Sequence, residues 1–143
     1  MNENATSNAR KHILFSLKLA AVMVGGALLL TLARKQGWID GELVVRGYNV
    51  IMGLALATYG NFMPKMMEGP PPRSIRDATL KQAVGRVSSW AMTLSFLTWA
   101  ALWAFAPQDL ALIGSLAAVG ACAAVIAVYT LWKYVAFHTS RSD

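Results

Sequence analysis

Ionisable side chains within apolar stretches, facing histidines and clustered sulfur ligands are the means by which so apolar a chain does chemistry, and all three are scarce here. Lys18 lies little more than a turn inside the first apolar stretch, and Arg46 stands one turn from Glu42. A charge at the centre of a bilayer costs ~2.5 to 3.5 kcal/mol on the mildest scale, so such charges mark proton relays and transport paths. Lys18 can extend its ammonium back to the phosphate level, and Arg46 has an acidic neighbour at i−4. No Asp or Glu falls in an apolar interior. Ion-coupled transport, intramembrane proteolysis and acyl transfer therefore lack their ionisable groups.

His12 and His138 are the two histidines, one near each chain end. A haem held by two histidines needs them on facing helices inside a bundle, which these positions do not provide. Cys122 is the single cysteine, so it has no internal disulfide partner and reads as a small packing residue. Met63, Met66 and Met67 form a thioether set of the kind Cu(I) accepts, and read equally as lipid-facing or packing residues. The expectation is a protein with no catalytic residue, no metal and no cofactor.

The elements that position these residues follow from composition. Of 143 residues, 56% are hydrophobic and 14% charged, too few charges to cover a soluble surface. The net charge of +6, from 13 Lys and Arg against 7 Asp and Glu, falls between apolar runs, which points to membrane topology and not to nucleic acid. Apolar windows at Ile13 to Ala33, Leu43 to Pro64, Val87 to Ala106 and Leu110 to Trp132 are each long enough to span ~30 Å of hydrocarbon. The first runs into Arg34 and Lys35 with no small-residue cleavage site and is too long for the core of a secretory signal. Backbone in lipid must satisfy its own hydrogen bonds, and the alternation of barrel strands is absent, so the windows read as helices.

The predicted architecture is all-α, a single membrane domain over 1–143. Its four transmembrane helices lie at about 13–33, 43–64, 75–106 with an interfacial start, and 109–134. Arg10, Lys11, Lys18, Lys65, Arg73, Arg76, Lys81, Arg86, Lys133 and Arg141 fall on one side of this arrangement; Arg34, Lys35 and Arg46 fall on the other. Ten against three places both termini and the central loop in the cytoplasm. Trp38, Trp99 and Trp103 then belong to the outer interface, and Phe15, Phe62, Trp90, Trp132 and Tyr134 to the inner one.

The turn Ala106-Pro107-Gln108-Asp109 is short enough to make the third and fourth helices antiparallel neighbours. In the central loop, Gly69-Pro70-Pro71-Pro72 is a stiff extended segment, and Ser74-Ile75-Arg76-Asp77 has the form of a capping box that restarts a helix near Ile75. Along the second helix Asn49, Gly53, Ala57, Gly60 and Asn61 share one side, and small residues there permit close backbone approach. Gly114, Ala118 and Cys122 offer a complementary series on the fourth, so a contact between helices two and four is expected.

The second helix closes with Gly60-Asn61-Phe62-Met63-Pro64-Lys65. Pro64 lacks an amide hydrogen, Gly60 permits close approach a turn earlier, Asn61 can bond backbone groups freed at the break, and Lys65 meets anionic headgroups. This hexapeptide resembles the signature of the SdpI-like family of bacterial membrane immunity proteins, in which a helix ends in Gly-Asn-aromatic-Met-Pro-Lys. A Gly-Ile-Arg element and a His-Arg-x-x-Gly-type element follow in that family. Ser74-Ile75-Arg76 and Gln82-Ala83-Val84-Gly85-Arg86 stand in their places here, and the resemblance covers roughly residues 47 to 95.

The resemblance implies a non-enzymatic, multi-pass protein of the bacterial inner membrane that binds a protein or peptide partner, such as a toxin or a regulator. Together with the charge cluster it singles out Gly60, Asn61, Pro64, Lys65, Arg73, Arg76, Lys81 and Arg86 as the partner-binding set. The alternatives are an accessory subunit of a larger membrane complex, docking through small-residue faces and aromatics, and a small transporter or metal exporter.

Overall fold

The computed structural model describes residues 3–66 and 75–139, with side chains described over 10–62 and 78–137. It is all-helical: α1 Glu3–Lys35, α2 Gly41–Met66, α3 Ile75–Phe105 and α4 Gln108–Thr139. Helix α3 starts at Ile75 and runs unbroken, so the basic start and the apolar window behind it form one element. Helix α1 begins well before the apolar window, carrying Arg10 and Lys11 on helical backbone. Helices α1 and α4 are long and apolar enough to cross a membrane, over Arg10–Lys35 and Gln108–Phe137.

The connections are fixed by local chemistry. At the end of α1, Gly37 takes a left-handed φ of 75°, which a glycine adopts without steric cost. The Trp38 amide donates to the Ala33 carbonyl and the Gly37 amide to the Arg34 carbonyl, each at 3.0 Å, the paired bonds of a Schellman ending. Three residues on, the Asp40 carboxylate accepts the Leu43 amide at 2.7 Å and caps the start of α2. The α3–α4 turn is as short as expected; Pro107 directly precedes α4, and its carbonyl accepts the Ala111 amide at 2.9 Å.

Packing follows chain order. Helix α2 lies against α3, α3 against α4, and α1 against α2, and among the described residues no other pair of helices touches. The contacts are antiparallel: Phe15 meets Phe62, Gly26 meets Ile51, and Gly47 meets Leu30 across the first pair. The expected contact between α2 and α4 is not formed. Gly53 faces Phe96 and Ala100 of α3, Gly60 faces Met92 and Thr93 of α3, and Gly114 faces Leu102 of α3. Both small-residue series therefore admit the same neighbour, because α3 is joined to α4 by the tightest turn and comes between α2 and α4.

Buried residues among those described are few and small: Gly53, Ala55, Ala57, Gly60, Ala100 and Ala111, with Ser89, Ser95 and Ser115. Trp103 is the exception. It is 5% exposed, covered by neighbouring helices, whereas Trp38 is 79% exposed. Ser95, Trp99 and Trp103 repeat every four residues, a stripe of α3 between the residues that meet α2 and Leu102, which meets α4. A side chain in that wedge is covered from both sides whatever its depth along the helix.

Large apolar side chains face outward on every helix, including Leu29 on α1, Leu54 on α2, Leu94 on α3 and Ile113 on α4. Patches of this extent on a protein in water mark a membrane or partner surface.

Candidate functional site

The hexapeptide is the natural starting point, because two of its residues act on one carbonyl. Proline has no amide hydrogen, so Pro64 cannot donate to the carbonyl of Gly60 four residues earlier. Helix α2 nevertheless continues through this position to Met66. The freed Gly60 carbonyl accepts a hydrogen bond from the buried Ser89 hydroxyl of α3 at 2.7 Å. The approach that permits this bond depends on Gly60 itself. A Cβ there would stand 3.0 Å from the Met92 Cβ and 3.3 Å from the Thr93 amide nitrogen. One turn earlier the Thr93 hydroxyl reaches the Ala57 carbonyl at 3.5 Å.

The end of the hexapeptide is thus a latch between α2 and α3, made by a glycine, a proline and a serine 29 positions from that glycine. Asn61, expected to bond the freed backbone groups, is exposed and makes no side-chain hydrogen bond to the described residues. Ser89 does that work. A serine 25 residues after a Gly-x-x-x-Pro element has no local signature, so its role emerges only when α3 folds back on α2.

Of the remaining partner-binding set, Lys81 and Arg86 are exposed on the first turns of α3. Pro64 and Lys65 lie on α2 and Arg76 on α3, with side chains outside the described residues; Arg73 and the proline segment also lie outside them, as do the Met63, Met66 and Met67 side chains. In the packing set Gly53 and Ala57 are buried against α3, Gly114 and Ala118 are half-buried, and Asn49 is half-buried and donates to its own helix at the Val45 carbonyl, 2.9 Å away.

Arg46 has a structural post. Its Nε donates to the Glu42 carboxylate at 3.0 Å, and its Nη1 donates to the Ala106 carbonyl at 2.9 Å, where α3 has run out of intrahelical donors. One guanidinium therefore ties the start of α2 to the finish of α3. Lys18 is exposed.

Charge is segregated along the molecule. Antiparallel packing gathers the starts of α1 and α3 with the finishes of α2 and α4, and this half carries Arg10, Lys11, Lys18, Lys81, Arg86 and Lys133. Asp40, Glu42 and Asp109, the carboxylates among the described side chains, all lie at the other end. No group of three His, Cys, Asp or Glu side chains among the described residues is arranged to hold a metal ion.

Comparison of the chain with protein-family models, with characterised proteins and with solved structures gives no match.

Proposed function

We propose that this chain is a four-span, non-enzymatic protein of a bacterial inner membrane, with both termini and the α2–α3 loop in the cytoplasm. It acts by binding a protein or peptide partner through the basic end, in the manner of SdpI-like immunity proteins. The observation that carries the membrane placement is the outward apolar side chains on all four helices, together with described side chains that put three carboxylates and three cations at one end and six cations with no carboxylate at the other. The partner surface rests on the hexapeptide resemblance and on the charges around it. Lys65, Arg73, Arg76, Lys81 and Arg86 fall within one loop and the start of the next helix, where an acidic partner could be met.

A reporter that is active only in the periplasm should be silent when fused after Asp143 or within the Gly69 to Pro72 segment. Activity at either point would overturn the orientation.

Partner binding is read separately. Arg76→Ala and Asn61→Ala should abolish a copurifying species or a protective phenotype while the chain stays in the membrane and folded. Arg76→Lys should impair it nearly as much, because an ammonium cannot make the two-pronged bond a guanidinium makes to a carboxylate. Unchanged recovery and phenotype in all three would remove the immunity-type reading.

The accessory-subunit reading draws on a different observation: among the described residues α1 and α4 each touch a single neighbouring helix, leaving flanks on which a larger partner could pack. It requires a stoichiometric complex in mild detergent, which an immunity protein does not.

A further inference from the structure

At the basic end the start of α3 and the finish of α4 leave an open groove of about 210 Å³, lined by Thr79, Leu80 and Ala83 from one helix and Lys133, Ala136 and Phe137 from the other. The lining is mostly hydrocarbon, and Lys133 is its one cationic side chain. Lys133 is half-buried and pairs with no carboxylate among the described residues; its Nζ lies 5.0 Å from the centre of the Trp132 ring and 5.8 Å from that of Tyr129. The two rings hold the ammonium by cation–π attraction and leave its hydrogen-bond donors unused by any carboxylate among the described residues. Trp132 is itself exposed, an amphipathic ring of the type that lies at headgroup depth.

We propose that this groove holds one anionic phospholipid, with its phosphate on the Lys133 ammonium and its glycerol and upper acyl carbons against Leu80, Ala83, Ala136 and Phe137. The inference rests on the membrane placement proposed above, and not on the immunity-type role. The groove's chemistry selects the occupant. A free phosphate would gain nothing from four apolar walls, and an uncharged lipid would leave the ammonium without an anion. The surrounding half of the molecule, with six cations and no carboxylate among its described side chains, favours an anion over any cationic or neutral ligand.

The test uses the purified full-length chain in detergent micelles, with native mass spectrometry after titration with phosphatidylglycerol or phosphatidylcholine. One phosphatidylglycerol should remain bound in preference to phosphatidylcholine. Lys133→Gln should weaken its retention about fivefold, the factor expected for one cation at a lipid phosphate. Ala83→Phe, which keeps every charge and fills the groove, should weaken it at least as much, with Ala136→Leu as the milder filling. Lys18→Gln, the same charge change on α1 in the same half, should leave it unchanged.

Equal losses from Lys133→Gln and Lys18→Gln, or full retention in both filling variants when their helicity and melting point match the parent, would mean diffuse attraction to the surface and overturn the site. Displacement of the lipid by millimolar inorganic phosphate would overturn it in favour of a free-anion site. Failure of the membrane placement is read independently, as release of the unmodified chain from membranes by alkaline carbonate.

Discussion

Gly53→Leu is expected to destabilise the protein by about 3 kcal/mol and to force α2 away from α3. The cause is the identity of the atoms a side chain would meet. A Cβ at this position stands 3.0 Å from the Phe96 carbonyl oxygen, 3.0 Å from the Ala100 amide nitrogen and 3.0 Å from the Ala100 Cβ. Two of the three are backbone atoms of a helix, which cannot rotate aside as a leucine tip would, so the helices must separate and lose contacts along their length.

Glycine is also a poor helix former, and its replacement returns up to ~0.8 kcal/mol of propensity. That gain is too small to offset the clash at Gly53 but is the dominant effect where nothing is near. Gly25 and Gly120 have no atom within 4 Å of a built Cβ, so Gly25→Leu and Gly120→Leu should leave the melting point unchanged or raised. Leu28→Phe on the outward face of α1 should be equally mild. Thermal unfolding in one detergent compares all four. Equal losses at Gly53 and at Gly25, Gly120 or Leu28 would show that the close α2–α3 approach contributes nothing.

Ser89→Ala is expected to cost about 1 to 2 kcal/mol, the second-largest effect, because it strands the Gly60 carbonyl that Pro64 has already deprived of its helical donor. The prediction becomes specific in combination with Pro64→Ala. Alanine at position 64 restores an amide hydrogen directed at that carbonyl, so removal of Ser89 from the Pro64→Ala background should cost less by about 1 kcal/mol. If the serine is worth the same with and without the proline, Ser89 is an ordinary buried hydroxyl and the latch does not exist. The cycle also bears on the resemblance: a coupled Gly60, Pro64 and Ser89 would make the hexapeptide a means of joining helices, and Asn61 and Lys65 would be left to carry any partner specificity.

Helix content and approximate limits were legible in the chain because they depend on local rules. Long apolar windows demand a self-satisfied backbone, Pro107 forces a turn, and Ser74 to Asp77 marks a start that the structure places at Ile75. Gly37 and Asp40, which close α1 and open α2, act just as locally, but their bonds came from the structure and not from the sequence reading.

The gathering of the described carboxylates at one end and of most described cations at the other likewise follows from residue order once the helices alternate in direction. Which faces meet was not legible. The small residues of α2 and α4 look complementary along the chain, yet a face of glycines and alanines admits any backbone, and its periodicity carries no label for its partner. The short α3–α4 turn and the Ser89 bond bring α3 to both faces, which takes Gly53 and Gly114 from each other and covers Trp103. Composition and spacing determined that there would be helices and where their charges would gather; only the packing, through backbone contact at Gly53 and Gly60 and one carbonyl freed by Pro64, decided which helix each face would bury.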